Sequence, residues 1–183
     1  MSPTRKRGRT VRPRLRVGLR GLAMSNDEFP LAYFITWTTY GTWLPGDERG
    51  WCKRGSRVVE KADSVLNEAA RSAMVEEPVI LNPTQRSLLD AVIVKHCEIR
   101  QWVLHARNVR SNHIHIVVSA AIAGTEVRAQ IKAWCSRRLS EQAELEGRSK
   151  NGLRRWFSER GDIEWIDDED HLADAIYYVN EMQ

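Results

Sequence analysis

No stretch of this 183-residue chain comes near the run of about 20 consecutive apolar residues that a bilayer-spanning helix needs, so no membrane partner is expected. The N-terminus lacks the apolar middle of a secretory signal, and the expected location is the cytoplasm. Cysteine is scarce. Cys52, Cys97 and Cys135 are odd in number and far apart, so neither a disulfide framework nor a Cys-x-x-Cys zinc site is readable from them. No internal repeat is visible. Acid is missing altogether from residues 1–23, which carry eight Arg and Lys side chains. The remaining 160 residues hold 20 bases and 24 acids, so the net +4 of the chain comes from its first 23 residues. Two readings of residues 1–23 stand: a basic arm that holds nucleic acid through its phosphates, or a non-native extension, since Met24-Ser-Asn-Asp resembles a second start. Residues 24–183 then form the functional domain.

What is present supports a single folded domain. A chain this long buries roughly two-thirds of its surface on folding, and seven Trp with many aliphatics supply a core. Leu31–Thr39 is β-branched and aromatic and predicts a strand, which ends in a Gly- and Pro-containing loop, Tyr40–Asp47. Residues 47–62 are polar and without period, and a weak helix is expected over 63–76. Asn82-Pro-Thr-Gln85 carries the signals of a capped helix start, followed by Leu88, Leu89, Val92, Ile93, His96 and Cys97 at helical spacing. Strands are expected at 102–109 and 113–119, joined by a link short enough for a hairpin. A long helix over about 125–146 should bury Val127, Ile131, Trp134, Cys135 and Leu139. A flexible loop is expected over 147–152, then two short strands around Arg160-Gly-Asp162. A final helix opens on the acids Asp167–Asp170, with Leu172, Ala175, Ile176 and Val179 inward. This order predicts an α+β sandwich on an antiparallel sheet.

His113 and His115 stand two apart in a strand, so both imidazoles project to one face while Ile114, Ile116 and Val118 project to the other. Two neutral imidazoles on one face make half of a divalent-metal site, although exposed histidines on a wet sheet give the same pattern. Position 117 is Val, which argues against a histidine-triad hydrolase. Both side chains are expected to leave the core, so that truncating either opens no cavity. Tyr177 and Tyr178 lie in the last helix, and a phenol near a metal can attack a phosphodiester and retain the bond energy as a phosphotyrosine.

The segment Ser111-Asn-His113-Ile-His115-Ile-Val-Val118 resembles the His-hydrophobic-His strand of HUH nucleases. Residues from about 31 to 183 are similar to transposases of the insertion-sequence 200/605 group and to the REP-associated tyrosine transposases. The opening Phe34-Ile-Thr-Trp-Thr-Thr-Tyr-Gly-Thr-Trp-Leu-Pro-Gly-Asp47 and the closing Ala175-Ile-Tyr-Tyr-Val-Asn-Glu-Met-Gln183 carry the same resemblance. It implies a ferredoxin-like βαββαβ core with a C-terminal catalytic helix, and a homodimer. It also implies a Mg²⁺- or Mn²⁺-dependent endonuclease and strand transferase acting on single-stranded DNA with hairpin elements, through a 5′-phosphotyrosine. His113 and His115 match the metal ligands. Tyr178, followed by Val179, matches the nucleophile better than Tyr177. Gln183 matches the downstream polar ligand, with Glu181 as a rival: on an ideal helix Gln183 lies about 140° around from Tyr178, and Glu181 is nearer.

Arg110 and Asn112 flank the His pair and are the expected DNA contacts. Trp37, Trp43 and Trp51 are candidates for stacking on unpaired bases, with burial in the core as the commoner fate of such residues. Arg128 and Lys132 are expected on a solvated helix face. His105 is expected either as a core histidine or as a partner of the His pair, and Cys97 and Cys135 as packing residues. Two other functions compete. A non-catalytic nucleic-acid-binding module can be built on the same sheet. A replication or transfer initiator uses the same chemistry, usually in a larger chain.

Overall fold

The structure is a computed structural model that describes residues 29–53, 56, 58–147 and 155–182. The arm of residues 1–23, most of the loop expected over 147–152, and Gln183 lie outside the described residues. The elements run β1 (Ala32–Thr38), β2 (Trp51–Cys52), β3 (Val59–Glu60), α1 (Ser64–Ser72), α2 (Pro83–Arg100), β4 (Val103–Val109), β5 (His113–Ser119), α3 (Gly124–Leu145), β6 (Asp162–Ile166) and α4 (Glu169–Glu181). The main sheet has the order β4-β5-β1-β6, with every pairing antiparallel. Together with α2 and α3 this is the βαββαβ pattern of a ferredoxin-like α+β sandwich. Among the described residues, no helix is long and apolar enough to cross a membrane.

Local chemistry explains where the helices begin. Asn82 Oδ1 accepts from the Gln85 N–H at 2.8 Å, and Gln85 Oε1 accepts from the Asn82 N–H at 3.0 Å, closing a reciprocal cap ahead of Pro83. Asp168 caps α4 by accepting from the His171 N–H at 2.8 Å, and Glu169 and Asp170 suit the positive end of the helix dipole.

Strand parity divides the sheet into two faces. Tyr33, Ile35, Trp37, Ile114, Ile116 and Val118 pack against α2 and α3 in the larger core. On the other face Ala32, Ala106, Val117 and Ile166 meet Ala175 and Val179 of α4, with Phe34, Leu172 and Ile176 at the margin. Asn108 of β4 donates from Nδ2 to the Val179 carbonyl at 3.1 Å, tying α4 to the sheet.

Within residues 47–62, polar and without period, Trp51-Cys52 and Val59-Glu60 pair as a two-stranded ribbon, too short to show a period in sequence. Three expectations need correction. Of the two short strands expected around Arg160-Gly-Asp162, the second forms as β6, while Phe157 on the other side makes an isolated bridge to Thr39. Trp134 is 42 % exposed rather than inward; it sits beside Cys135 at the edge of the buried stripe, and the helix turns it outward. Arg128 and Lys132 do not face open water. Arg128 donates to the Gly161 carbonyl, and Lys132 Nζ donates to the carbonyls of Ser158 and Arg160. These acceptors belong to a segment 26 to 33 residues away, which helical spacing cannot reveal. The same segment passes so close to β1 that a Cβ on Gly161 would meet the Thr36 carbonyl oxygen at 2.3 Å, so only glycine fits.

Candidate active site

Side chains with reactive chemistry gather on the α4 face of the sheet. His113 and His115 leave β5 on that face, with ring centroids 4.7 Å apart. Register places Thr36 and Asn108 opposite His115 on the two flanking strands, and Thr38 opposite His113. Thr36 Oγ1 and His115 Nδ1 hydrogen-bond at 2.7 Å, and Asn112 Oδ1 meets His113 Nδ1 at 2.8 Å. When these oxygens accept, each imidazole carries its proton on Nδ1 and its lone pair on Nε2, the tautomer that suits ligation through Nε2.

Tyr178 comes to this cluster from α4. Its ring stands edge-on to His115 with centroids 6.2 Å apart, and edge-on to Phe34 at 6.0 Å. Phe34 in turn stacks on His115 at 5.6 Å. Tyr178 is 43 % exposed and Tyr177 61 % exposed, and Tyr178 is the tyrosine packed against the histidine. His115 is 7 % exposed, enclosed by Thr36, Phe34 and Tyr178. The expectation that its truncation opens no cavity is therefore corrected: α4 covers the face that an isolated strand would leave wet.

Of the two expected DNA contacts, Asn112 is engaged in holding the site together. Besides touching His113, its carbonyl accepts from the Thr39 N–H at 2.9 Å, from Thr39 Oγ1 at 3.1 Å and from Thr42 Oγ1 at 3.1 Å. Arg110 is half-buried in the hairpin turn, its N–H bonded to the His113 carbonyl at 2.9 Å. Glu181 is exposed in the last turn of α4. Among the described residues, no group of three or more His, Cys, Asp and Glu stands together in a metal-holding arrangement. Of the three expected metal ligands, His113 and His115 stand side by side, and Gln183 lies beyond the described residues.

The other candidates separate clearly. Trp37 is 1 % exposed and belongs to the core. Trp51 is half-buried and donates to the Lys61 carbonyl at 3.0 Å. Trp43 is exposed. His105 sits at the irregularity in β4 and bonds Ser119 Oγ at 2.8 Å rather than the His pair; burial lowers its pKa. Cys97 and Cys135 are buried in the α2–α3 core, and burial pushes the Cys97 thiol up to about 11 and the Cys135 thiol further up, so both are packing residues. Thr36 was missed by sequence reasoning, because its partnership with His115 follows from the pairing of β1 with β5.

No protein-family model matches the chain, and no curated protein matches it. Among solved structures, one of a REP-associated tyrosine transposase bound to a REP hairpin is similar to it, with 14 % identity and a TM-score of 0.45 over 81 % of this chain. The match covers 63 % of that chain, so this protein spans less than two-thirds of its length.

Proposed function

We propose that the protein is a transposase-type endonuclease and strand transferase acting on single-stranded DNA with hairpin elements, with Tyr178 as nucleophile. The observation that carries this reading is the packing of Tyr178 against His115 on the face that also holds His113. A Mg²⁺ or Mn²⁺ ion bound by His113, His115 and Gln183, or Glu181 in its place, would supply positive charge at the scissile phosphate. The protein's own part is to bring Tyr178 Oη in line with that phosphate. The Oη–P bond forms and the P–O3′ bond breaks; the phenolic proton passes to solvent, and the departing 3′ oxygen takes up a proton from solvent and leaves as a 3′-hydroxyl. The bond energy stays in the 5′-phosphotyrosine, so rejoining needs no ATP. Asn108 holds the α4 backbone at Val179, next to Tyr178, and so limits where the phenol stands.

The reading as a non-catalytic module meets a specific obstacle. Such modules stack bases on an open sheet face, whereas here α4 covers that face and Phe34 contacts Tyr178. The test is cleavage of labelled single-stranded hairpin oligonucleotides with Mn²⁺ and with chelator. Cutting that stops in chelator is expected. Binding that survives chelation, with no cut under any metal condition, would favour the module.

A further inference from the structure

We infer that Trp43 and Arg49 form a preorganised stacking platform for an unpaired nucleobase flanking the cut phosphate, an inference that rests on the single-stranded DNA reading above. Trp43 is 47 % exposed, whereas Trp37 and Trp156 are buried. Its ring is nevertheless held: Nε1 donates to the Gly50 carbonyl at 2.8 Å, and the Arg49 guanidinium lies over it, 4.8 Å from the centroid. Arg49 is itself fixed by two bonds to the carboxylate of Asp47, each 2.7 Å, and by a bond from Nη2 to the Thr42 carbonyl at 2.8 Å. Asp47 is 7 % exposed, and the Arg49 guanidinium keeps its carboxyl below the usual carboxylate range.

The loop beneath is equally constrained. Gly46 has φ 81°, and a Cβ there would meet the Asp63 carbonyl oxygen at 2.2 Å, so the loop is pressed onto the start of α1. Asn67 Nδ2 donates to the Pro45 carbonyl at 3.2 Å, and the Asp63 N–H to the Gly46 carbonyl at 3.0 Å. An aromatic ring fixed this firmly while half of it stays in water gains little from burial, but it suits a flat partner that arrives later. The platform also adjoins the active site. Thr42, the residue before Trp43, bonds the Asn112 carbonyl, and Asn112 touches His113. On this reading, a strand whose phosphate lies at the histidines would pass this loop. The ring offers a sequence-tolerant stack, and Arg49, its charge paired with Asp47, keeps the ring in place.

The test is affinity for a labelled single-stranded oligonucleotide in chelator, which isolates binding from cleavage. Trp43→Leu should weaken binding by about 5- to 100-fold, the loss of one base stack, and Trp43→Phe should keep most of the affinity. In wild type, one abasic nucleotide near the cut site should cost affinity, and in Trp43→Leu that same abasic position should cost nothing further. Equal affinity of Trp43→Leu and wild type, or an abasic scan of wild type with no sensitive position, overturns the platform while leaving the nuclease reading intact. Absence of any single-strand binding by wild type, in Mn²⁺ as well as in chelator, overturns both. The abasic scan uses only wild-type protein, so it decides the matter even if Trp43→Leu fails to fold.

Discussion

At the residue scale, the two histidines are not equivalent. His113 is half-buried, and its orienting partner Asn112 is its sequence neighbour. His115 is enclosed, and its partner Thr36 comes from another strand. The first relation is legible in the sequence Asn112-His113. The second is not, because it depends on register. Replacing His113 with Ala should abolish cleavage with little loss of stability. His115→Ala should abolish cleavage and also lower the melting temperature, since it empties space between Phe34 and Tyr178. Full Mn²⁺-dependent cutting by either variant would contradict the metal assignment. Thr36→Val should weaken Mn²⁺ binding by about 10- to 100-fold, while Thr36→Ser, which keeps the hydroxyl, should restore it. Calorimetric titration of Mn²⁺ into each variant measures this, and equal affinity in all three proteins would show that the hydroxyl does not orient His115.

At the scale of elements, α4 and the segment before β6 hold the site in place. The inward stripe Leu172, Ala175, Ile176 and Val179 is plain in the sequence, and so is the cap of α2. Interactions between distant parts of the chain are not, above all the seating of Arg128 and Lys132 on the carbonyls of residues 158–161. Burial, followed by the nearby Arg128 charge, lowers the Lys132 ammonium to about 8. The unfolded chain keeps the ordinary lysine value of about 10.4, so between these limits it binds more protons than the fold, and stability rises with pH there. Below about pH 8 both states are protonated and the cost of burying the charge is fully present. Denaturation in urea near pH 7.5 and near pH 9.5 should therefore show wild type gaining on Lys132→Met at the higher pH. A constant difference between the two would mean that the ammonium is not destabilised by its surroundings. For α4, Val179→Ala should cost about 1.5–3 kcal/mol, because Val179 is fully buried against the sheet.

At the scale of the whole molecule, charge and architecture pull apart. The fold is readable because strand and helix periods alternate cleanly from Leu31 onward and both strong helices carry apolar stripes. The ribbon β2–β3 is not, because two-residue strands have no period. The described domain belongs to the acidic part of the chain, and the positive charge is concentrated in residues 1–23. If those residues act as a DNA-holding arm, deleting them should flatten the salt dependence of single-strand binding, by about 0.7 in the log–log slope for each phosphate the arm neutralises. An unchanged slope would identify them as an extension with no part in binding.

The claim that Tyr178 is the nucleophile faces its most direct test in covalent capture. Tyr177→Phe and Tyr178→Phe are each mixed with a labelled single-stranded hairpin substrate and Mn²⁺, then run on a denaturing gel. The packing of Tyr178 against His115 leads us to expect a shifted protein–DNA band from Tyr177→Phe and none from Tyr178→Phe. The reverse pattern would transfer the role to Tyr177, and normal adducts from both variants would contradict the tyrosine mechanism itself.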